Sequence, residues 1–163
     1  MRERGRRVAS HAGYIAEMMK KSYTIKQISL ADYPKCGAIW DMTACPYTQT
    51  FISQIKASVR EVYILTVDGE YIAECDLVYN NPEYETIPGK RLYLSRLIVK
   101  KEQRGKGYGK AITQHILTLA KEKGYREIAL GVNATIPAPC GYMKNSASLY
   151  TKKPRIKTVS FVE

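Results

Sequence analysis

The chain has 163 residues, 45% of them hydrophobic and 25% charged, a balance that suits one globular domain with a single core and excludes a disordered or fibrous chain. No apolar run approaches the roughly 18 residues of a bilayer-spanning helix, so no membrane partner is expected. The net charge of +11 invites a nucleic-acid partner, but residues 1–21 and 134–163 carry +4 each and leave only +3 for residues 22–133, so a basic nucleic-acid-binding module is the weaker reading.

Residues 1–21 show no sustained periodicity and end in Met18-Met19-Lys20-Lys21. They read as a basic N-terminal extension, and a start at Met18 or Met19 would place the first 17 residues outside the native product. No apolar stretch follows the basic start, so no secretory signal is expected and the cytoplasm is the default compartment. Tyr23–Ile28 alternates as a strand. From Leu30 a helical stretch carries Asp32, Tyr33, Cys36, Ile39 and Trp40, with Ser29 as its N-cap. A second helix is expected from Pro46 to about Val59, where Phe51, Ile52 and Ile55 recur at helical spacing. Glu61–Val67 and Glu70–Tyr79 are β-rich runs separated by Asp68-Gly69, the signature of an antiparallel hairpin. A polar loop, Asn80–Lys90, follows.

Leu92–Val99 is nearly continuously apolar and reads as a strand buried on both faces. Gly107 to about Lys123 is expected to be helical, with Ile112, Ile116 and Leu119 on one face, Lys121 and Lys123 suiting the negative end of its dipole, and Gly124 as cap. Glu127–Val132 reads as a short buried strand. The four cysteines (Cys36, Cys45, Cys75, Cys140) form no C-x-x-C pair and lie far in sequence from His11 and His115, so neither zinc nor a disulfide framework is expected.

Between the strand ending at Val99 and the helix after Gly109 lies Arg104-Gly105-Lys106-Gly107-Tyr108-Gly109. Amides at a helix N-terminus lack intrahelical partners, and with the positive end of the dipole they can cradle a pyrophosphate. The glycines let the backbone approach the anion, while Arg104 and Lys106 add charge. Glycine at such a turn can also be steric punctuation alone. A P-loop would need Ser or Thr after its lysine where Ala111 stands, and the dinucleotide fingerprint has a different glycine spacing.

Arg104 to Gly109 resembles the pyrophosphate signature (Q/R)-x-x-G-x-(G/A) of the GNAT superfamily of N-acetyltransferases, and Leu97-Ile98-Val99 resembles the strand that runs into it there. The resemblance extends through the helix to Glu127–Asn133. It implies an α/β (α+β) fold with a mixed, mostly antiparallel central sheet, helices on both faces, and a 22–133 domain. It also implies acetyl-CoA as co-substrate, no metal, and a small-molecule or peptide amine as acceptor. The strand Leu92–Val99 would splay from Glu127–Val132 to admit the pantetheine arm. Backbone groups of Leu97 and Val99 would meet the thioester and pantetheine, and Arg104, Gly105, Lys106, Gly107, Tyr108 and Gly109 the diphosphate.

The two early helices would frame the acceptor groove. For the amine's proton, Glu74, Asp76 and Asp41 come into question, although a solvated surface charge is the commoner fate of a carboxylate. No base is assigned. Tyr93 and Ser95 would border the acetyl site, although core packing explains Tyr93 equally well, and His115 reads as a surface or packing residue. Oligomeric state leaves no trace in the sequence.

After Asn133 the likeness stops. The family continues with N-x-x-A-x-x-L-Y-x-K-x-G-F, and often takes from it the tyrosine that protonates the leaving thiolate. Here Ala134 to Tyr150 is rich in helix breakers. Read from the third base of the Ala134 codon, the possible codons permit D-N-(T/S/P)-x-A-L-R-L-Y-E-K-(F/L)-G-F, with the glutamate forced by Met143-Lys144. A shift of frame near Ala134 is the resulting expectation. Residues 134–163 would then be an atypical basic tail, Tyr142 and Tyr150 would not inherit the catalytic role, and a CoA-binding remnant without activity becomes the alternative to a working transferase.

Overall fold

The computed structural model describes residues 22–132 and 155–161. The expectations for residues 1–21, for Cys140, Tyr142 and Tyr150, and for a break at Ala134 lie outside the described residues.

Among the described residues six strands form one sheet in chain order: β1 Tyr23–Ile28, β2 Arg60–Val67, β3 Glu70–Val78, β4 Arg91–Val99, β5 Glu127–Val132 and β6 Arg155–Ser160. All neighbours are antiparallel except β4 and β5, which run parallel. The β2–β3 turn has Asp68 at φ 49° and Gly69 at φ 80°, two left-handed residues in a row whose twist matches that of the flanking strands. A parallel pair needs a crossover, and α2, Tyr108–Glu122, supplies it.

Helices cover both faces. On one, α2 presents Ile112, Ile116 and Ala120 to Leu65, Leu77, Leu92, Leu94 and Ile128 of the sheet. On the other, Tyr33 and Cys36 of a 3-10 helix, Tyr33–Ala38, and Phe51 of α1, Thr48–Lys56, pack with Trp40 against Ile28, Val62, Ile64 and Ile98. The first helical stretch is shorter and tighter than its apolar spacing suggests, six residues of 3-10 helix with Pro34 in its first turn. Its N-cap is Asp32, with no side-chain cap, and not the expected Ser29, whose hydroxyl accepts the Asp32 amide at 3.3 Å in the turn before the helix. α1 ends early, at Lys56, because Ser58 turns left-handed at φ 56°. The loop of residues 80–90 holds its own small 3-10 turn, Pro82–Tyr84, capped by the Asn81 side chain.

One further expectation is corrected. β4 is not buried on both faces: Leu92, Leu94 and Ile98 are buried, but Leu97 is 46% exposed. Its apolar run mixes core contacts with residues that line an opening. Within residues 134–163 the structure also has a strand, β6, which pairs with β5 from Glu127↔Ser160 to Val132↔Arg155.

Ile116 is fully buried under α2 whereas Leu119 is only partly covered. Ile116→Ala should cost about 2–5 kcal/mol of unfolding free energy and Leu119→Ala distinctly less. Urea denaturation measures both, and equal losses would contradict this placement of the helix.

Candidate functional site

The site is an opening in the sheet. β4 and β5 pair only from Arg91↔Glu127 to Leu94↔Leu130, although β4 continues to Val99 and β5 to Val132. The cause lies on the other edge of β4. There Asp76 pairs with Ser95 but Glu74 pairs with Ile98, so three steps along β4 match two along β3. This is a β-bulge, and Arg96 sits in it at φ 53°. Bulges bend and twist the strand that carries them, and here the bend turns β4 away from β5. Near the end of the ladder the Tyr93 hydroxyl lies close enough to the Gly131 backbone for it to offset part of the upward push of burial on the phenol. Beyond it the exposed Leu97 borders the gap.

The gap leads to the glycine turn. After Val99 the chain makes a short 3-10 turn, Lys101–Gln103, and reaches Arg104 in extended conformation. Gly105 at φ 76° and Gly107 at φ 85° are both left-handed, a region that costs other residues roughly 1–2 kcal/mol. Gly107 is the N-cap of α2 and no side chain caps it, so the first-turn amides, those of Tyr108 and Gly109 included, have no intrahelical acceptor.

Gly109 has a different role, since a Cβ there would meet Val99 Cγ2 at 3.3 Å; its absence lets α2 begin hard against β4. Arg104 Nε donates to the Val99 carbonyl at 3.1 Å and Lys106 Nζ to Gln103 Oε1 at 2.8 Å, which fixes both stems beside the turn. Tyr108 is buried with its ring edge-on to Tyr23. Its backbone, not its phenol, is what the turn offers a ligand. Val99 is partly buried against α2.

On the α1 face a groove of about 980 Å³ runs between residues 30–52 and Lys100–Glu102, with Tyr33, Trp40, Asp41 and Ile52 in its lining. Asp41 is exposed at its rim. Its Oδ1 accepts from the Thr43 amide and hydroxyl and from the Ala44 amide at 2.7–3.1 Å, so this carboxylate orders its own loop.

Glu74 and Asp76 are not solvated charges: both are fully buried on this face. Glu74 accepts from Trp40 Nε1 at 2.6 Å and from Arg96 Nε at 3.3 Å. Asp76 Oδ2 accepts from Arg60 Nη1 at 2.5 Å, and Arg60 is held in turn by Gln54 Oε1 at 2.8 Å and the Tyr84 hydroxyl at 3.3 Å. The Arg96 guanidinium lies 3.8 Å from the centre of the Trp40 ring. Sequence reading did not find Arg60 or Arg96 as partners. The available signal was the pair of acids at i and i+2 inside a strand otherwise apolar on both faces, since carboxylates so placed must be paired.

Burial and the Glu74 charge push the Asp76 carboxyl up, to about 7, and outweigh Arg60 and Arg96, which pull it down. Asp76 Oδ1 and the Tyr33 hydroxyl are buried without a hydrogen-bond partner among the described residues. His115 is exposed on α2, its ring 6.2 Å from that of Tyr63. Among the described residues no three His, Cys, Asp or Glu side chains come together as a metal site would require, and no helix is long and apolar enough to cross a membrane.

A carboxyl whose folded-state pKa is raised keeps its proton in the native protein after the unfolded chain has released it. Its contribution to stability is therefore full at acid pH and is lost as pH rises from the ordinary value near 3.8 through about 7. Asp76→Asn removes that titration. The stability of the variant relative to the parent should rise between pH 4 and pH 8 in urea denaturation, and a difference that does not change with pH would contradict the burial of this charge.

The fold is similar to that of the ribosomal-protein-S18-alanine N-acetyltransferase of Escherichia coli, with a TM-score of 0.56 and 18% identity over 79% of this chain and 73% of that one. It is also similar to a GNAT family acetyltransferase of Elizabethkingia anophelis with acetyl-CoA bound, with a TM-score of 0.53 and 16% identity over 81% and 73% of the two chains. In sequence it resembles human (Homo sapiens) N-acetyltransferase 8B, 26% identical over 108 residues that cover 57% of this chain and 45% of that protein; the chain thus spans less than half the length of this relative. The profile of the acetyltransferase (GNAT) family matches residues 23–139, which take in every element from β1 to β5, and the chain therefore belongs to that family.

Proposed function

We propose that the chain transfers an acetyl group from acetyl-CoA to an amine, binding the co-substrate in the gap between β4 and β5. One observation carries the reading: the parallel ladder stops at Leu94↔Leu130 while β4 runs on, unpaired on that side, straight into the glycine turn and the uncapped start of α2. A long ligand with amides in its arm and a diphosphate at its end suits such a channel. In this reading the first-turn amides and the turn from Arg104 to Gly109 hold the diphosphate, with Arg104 and Lys106 adding charge. Backbone groups of Leu97 and Val99 replace the missing strand toward the pantetheine arm. An amide released by the bulge points at the thioester oxygen and stabilises the negative charge that grows there as the amine attacks, an effect worth about 3–4 kcal/mol.

The fit is physical as well as topological. Gly105 and Gly107 already hold the left-handed backbone that exposes successive amides, and Leu97 leaves the gap unfilled. The acceptor enters from the α1 side, where the groove lies. A ribosomal-protein alanine is the acceptor of one protein with a similar fold, and small amines, aminoglycosides and other protein N-termini remain open. Cys36, Cys45 and Cys75 are buried and form no disulfide among the described residues, which fits a reducing compartment such as the cytoplasm.

Isothermal titration of the full chain with acetyl-CoA should register binding. Gly107→Ala puts an alanine in the left-handed region, a strain of roughly 1–2 kcal/mol that the free chain sheds by leaving the backbone that exposes the amides, and it should weaken that binding about tenfold. No heat with the folded chain would remove the reading. Release of free thiol with a panel of amines then separates a transferase from a CoA-binding remnant, and salt-sensitive DNA binding without CoA binding would favour the nucleic-acid alternative.

We also infer that residues 134–163 arise from a shifted frame, with 22–133 the transferase domain. The support is the order in which the shifted codons permit the missing family segment. Sequencing the gene tests it: codons that do not spell that segment when shifted dispose of the idea.

A further inference from the structure

Glu74 and Asp76 stand two apart on one face of β3, both fully buried, yet they are not equally satisfied. Glu74 has Trp40 and Arg96. Asp76 has Arg60 on Oδ2, while Oδ1 has no partner among the described residues. A buried carboxylate oxygen in that condition is unfavourable unless something visits it. Directly across the ladder from Asp76 stands Ser95 of β4. Opposed residues in an antiparallel pair hold their Cβ atoms about 4.5–5.5 Å apart, a separation that a serine hydroxyl and an aspartate carboxylate can span with one hydrogen bond. Ser95 is half-buried and is the first β4 residue past the last contact with β5. It therefore joins the buried acid to the opening, one residue before the bulge.

We propose that Ser95 and Asp76 form a proton relay for the acetyl transfer, in which the Ser95 hydroxyl touches the acceptor amine and Asp76 Oδ1 receives the proton that the amine must shed. The inference rests on the acetyl-CoA reading given above. As the amine nitrogen bonds to the thioester carbon, its proton passes to Ser95 Oγ and the hydroxyl proton of Ser95 passes to Asp76. The C–S bond then breaks with its electron pair on sulfur. The proton held by Asp76 returns along the same path to the sulfur, leaving an amide, a free thiol and the original carboxylate. Ser95 is the catalytic residue and Asp76, acting through it, a positioning residue.

The surroundings suit a group that must both take and return a proton near neutrality. Asp76 faces Arg60 from β2, Glu74 and Cys75 from its own strand, Arg96 from β4, and Tyr33 and Cys36 from the 3-10 helix. Gln54 of α1 and Tyr84 reach it only through Arg60. The arginines stay charged at any working pH, and burial pushes the Tyr33 phenol and the Cys36 and Cys75 thiols up, away from neutrality. The Asp76 carboxyl itself is held up at about 7, where a general base works best.

The test is the pH profile of kcat/KM for the full chain, with the best amine from the thiol-release panel, in the parent, Ser95→Ala, Ser95→Thr and Asp76→Asn. The parent profile should rise with pH and level off past a break close to 7. Ser95→Ala should lower kcat about 100-fold and abolish the break, with acetyl-CoA affinity unchanged, and Ser95→Thr, which keeps the hydroxyl, should restore most of both. Asp76→Asn should match Ser95→Ala; if it fails to fold, the serine pair still decides. A Ser95→Ala enzyme that keeps its break and its kcat to within about threefold overturns the relay.

If the chain binds acetyl-CoA but acetylates no amine in the panel, carbon-13 NMR of labelled aspartate carboxyls decides instead. A midpoint near 7 for Asp76 that moves in Ser95→Ala supports the relay. A midpoint below about 5, or one indifferent to Ser95, overturns it. Failure to bind acetyl-CoA at all removes the parent reading, a result distinct from either of these.

Discussion

The architecture depends on one extra residue in β4. Arg96 at φ 53° occupies a region that a non-glycine residue enters at a cost of roughly 1–2 kcal/mol, and its place in the bulge has two effects. It shifts the alternation of the strand, so that Leu92 and Leu94 face α2 while Ile98, of the same parity, joins the core beneath α1. It also bends the strand off its parallel neighbour. A regular β4 would zip against β5 along its length and leave no channel. The cost is offset by contacts of the Arg96 side chain, whose guanidinium rests on Trp40 and whose Nε meets Glu74.

That arrangement explains why four charged groups lie buried in so small a protein. Buried ion pairs are weak sources of stability, since desolvation consumes most of the attraction. Here they tie together elements that must agree in position: Arg60 links β2 to α1 through Gln54, Asp76 links β2 to β3, and Glu74 joins β3 both to β4 and to the segment after the 3-10 helix. The groove, the bulge and the gap are thus registered to one another by directional bonds, which apolar packing alone would leave free to slide.

Much of this was legible in the sequence and part was not, for reasons that differ in kind. The Asp68-Gly69 hairpin, β1, β5 and the glycine turn were readable because each is fixed by local chemistry: a left-handed turn, an alternation, a run of amides needing glycine. The bulge was not, since Arg96 carries no local mark of a left-handed conformation and its stabilisation comes from Trp40 and Glu74, 56 and 22 residues away in the chain by their numbering. The same holds for Glu74 and Asp76, whose surface-like composition concealed partners on neighbouring strands. Leu92–Val99 misled in the opposite sense: an apolar run reads as burial, yet Leu97 is apolar at the edge of an opening. β6 was passed over because only its pairing with β5 gives the segment Arg155–Ser160 a reason to be extended.

The short parallel ladder has a consequence for the whole molecule. Among the described residues, four residue pairs between β4 and β5, with the ion pairs of Lys90 and Arg91 to Glu127, fasten β5 and β6 to the four strands that precede them. The sheet is therefore two unequal blades joined at Leu94 and Leu130, and whatever lies along the free edge of β4 acts as a splint between them. Occupancy of the gap and resistance to unfolding are then linked by mass action: a cell rich in that ligand would hold the blades together, and one depleted of it would leave the smaller blade the first to come away.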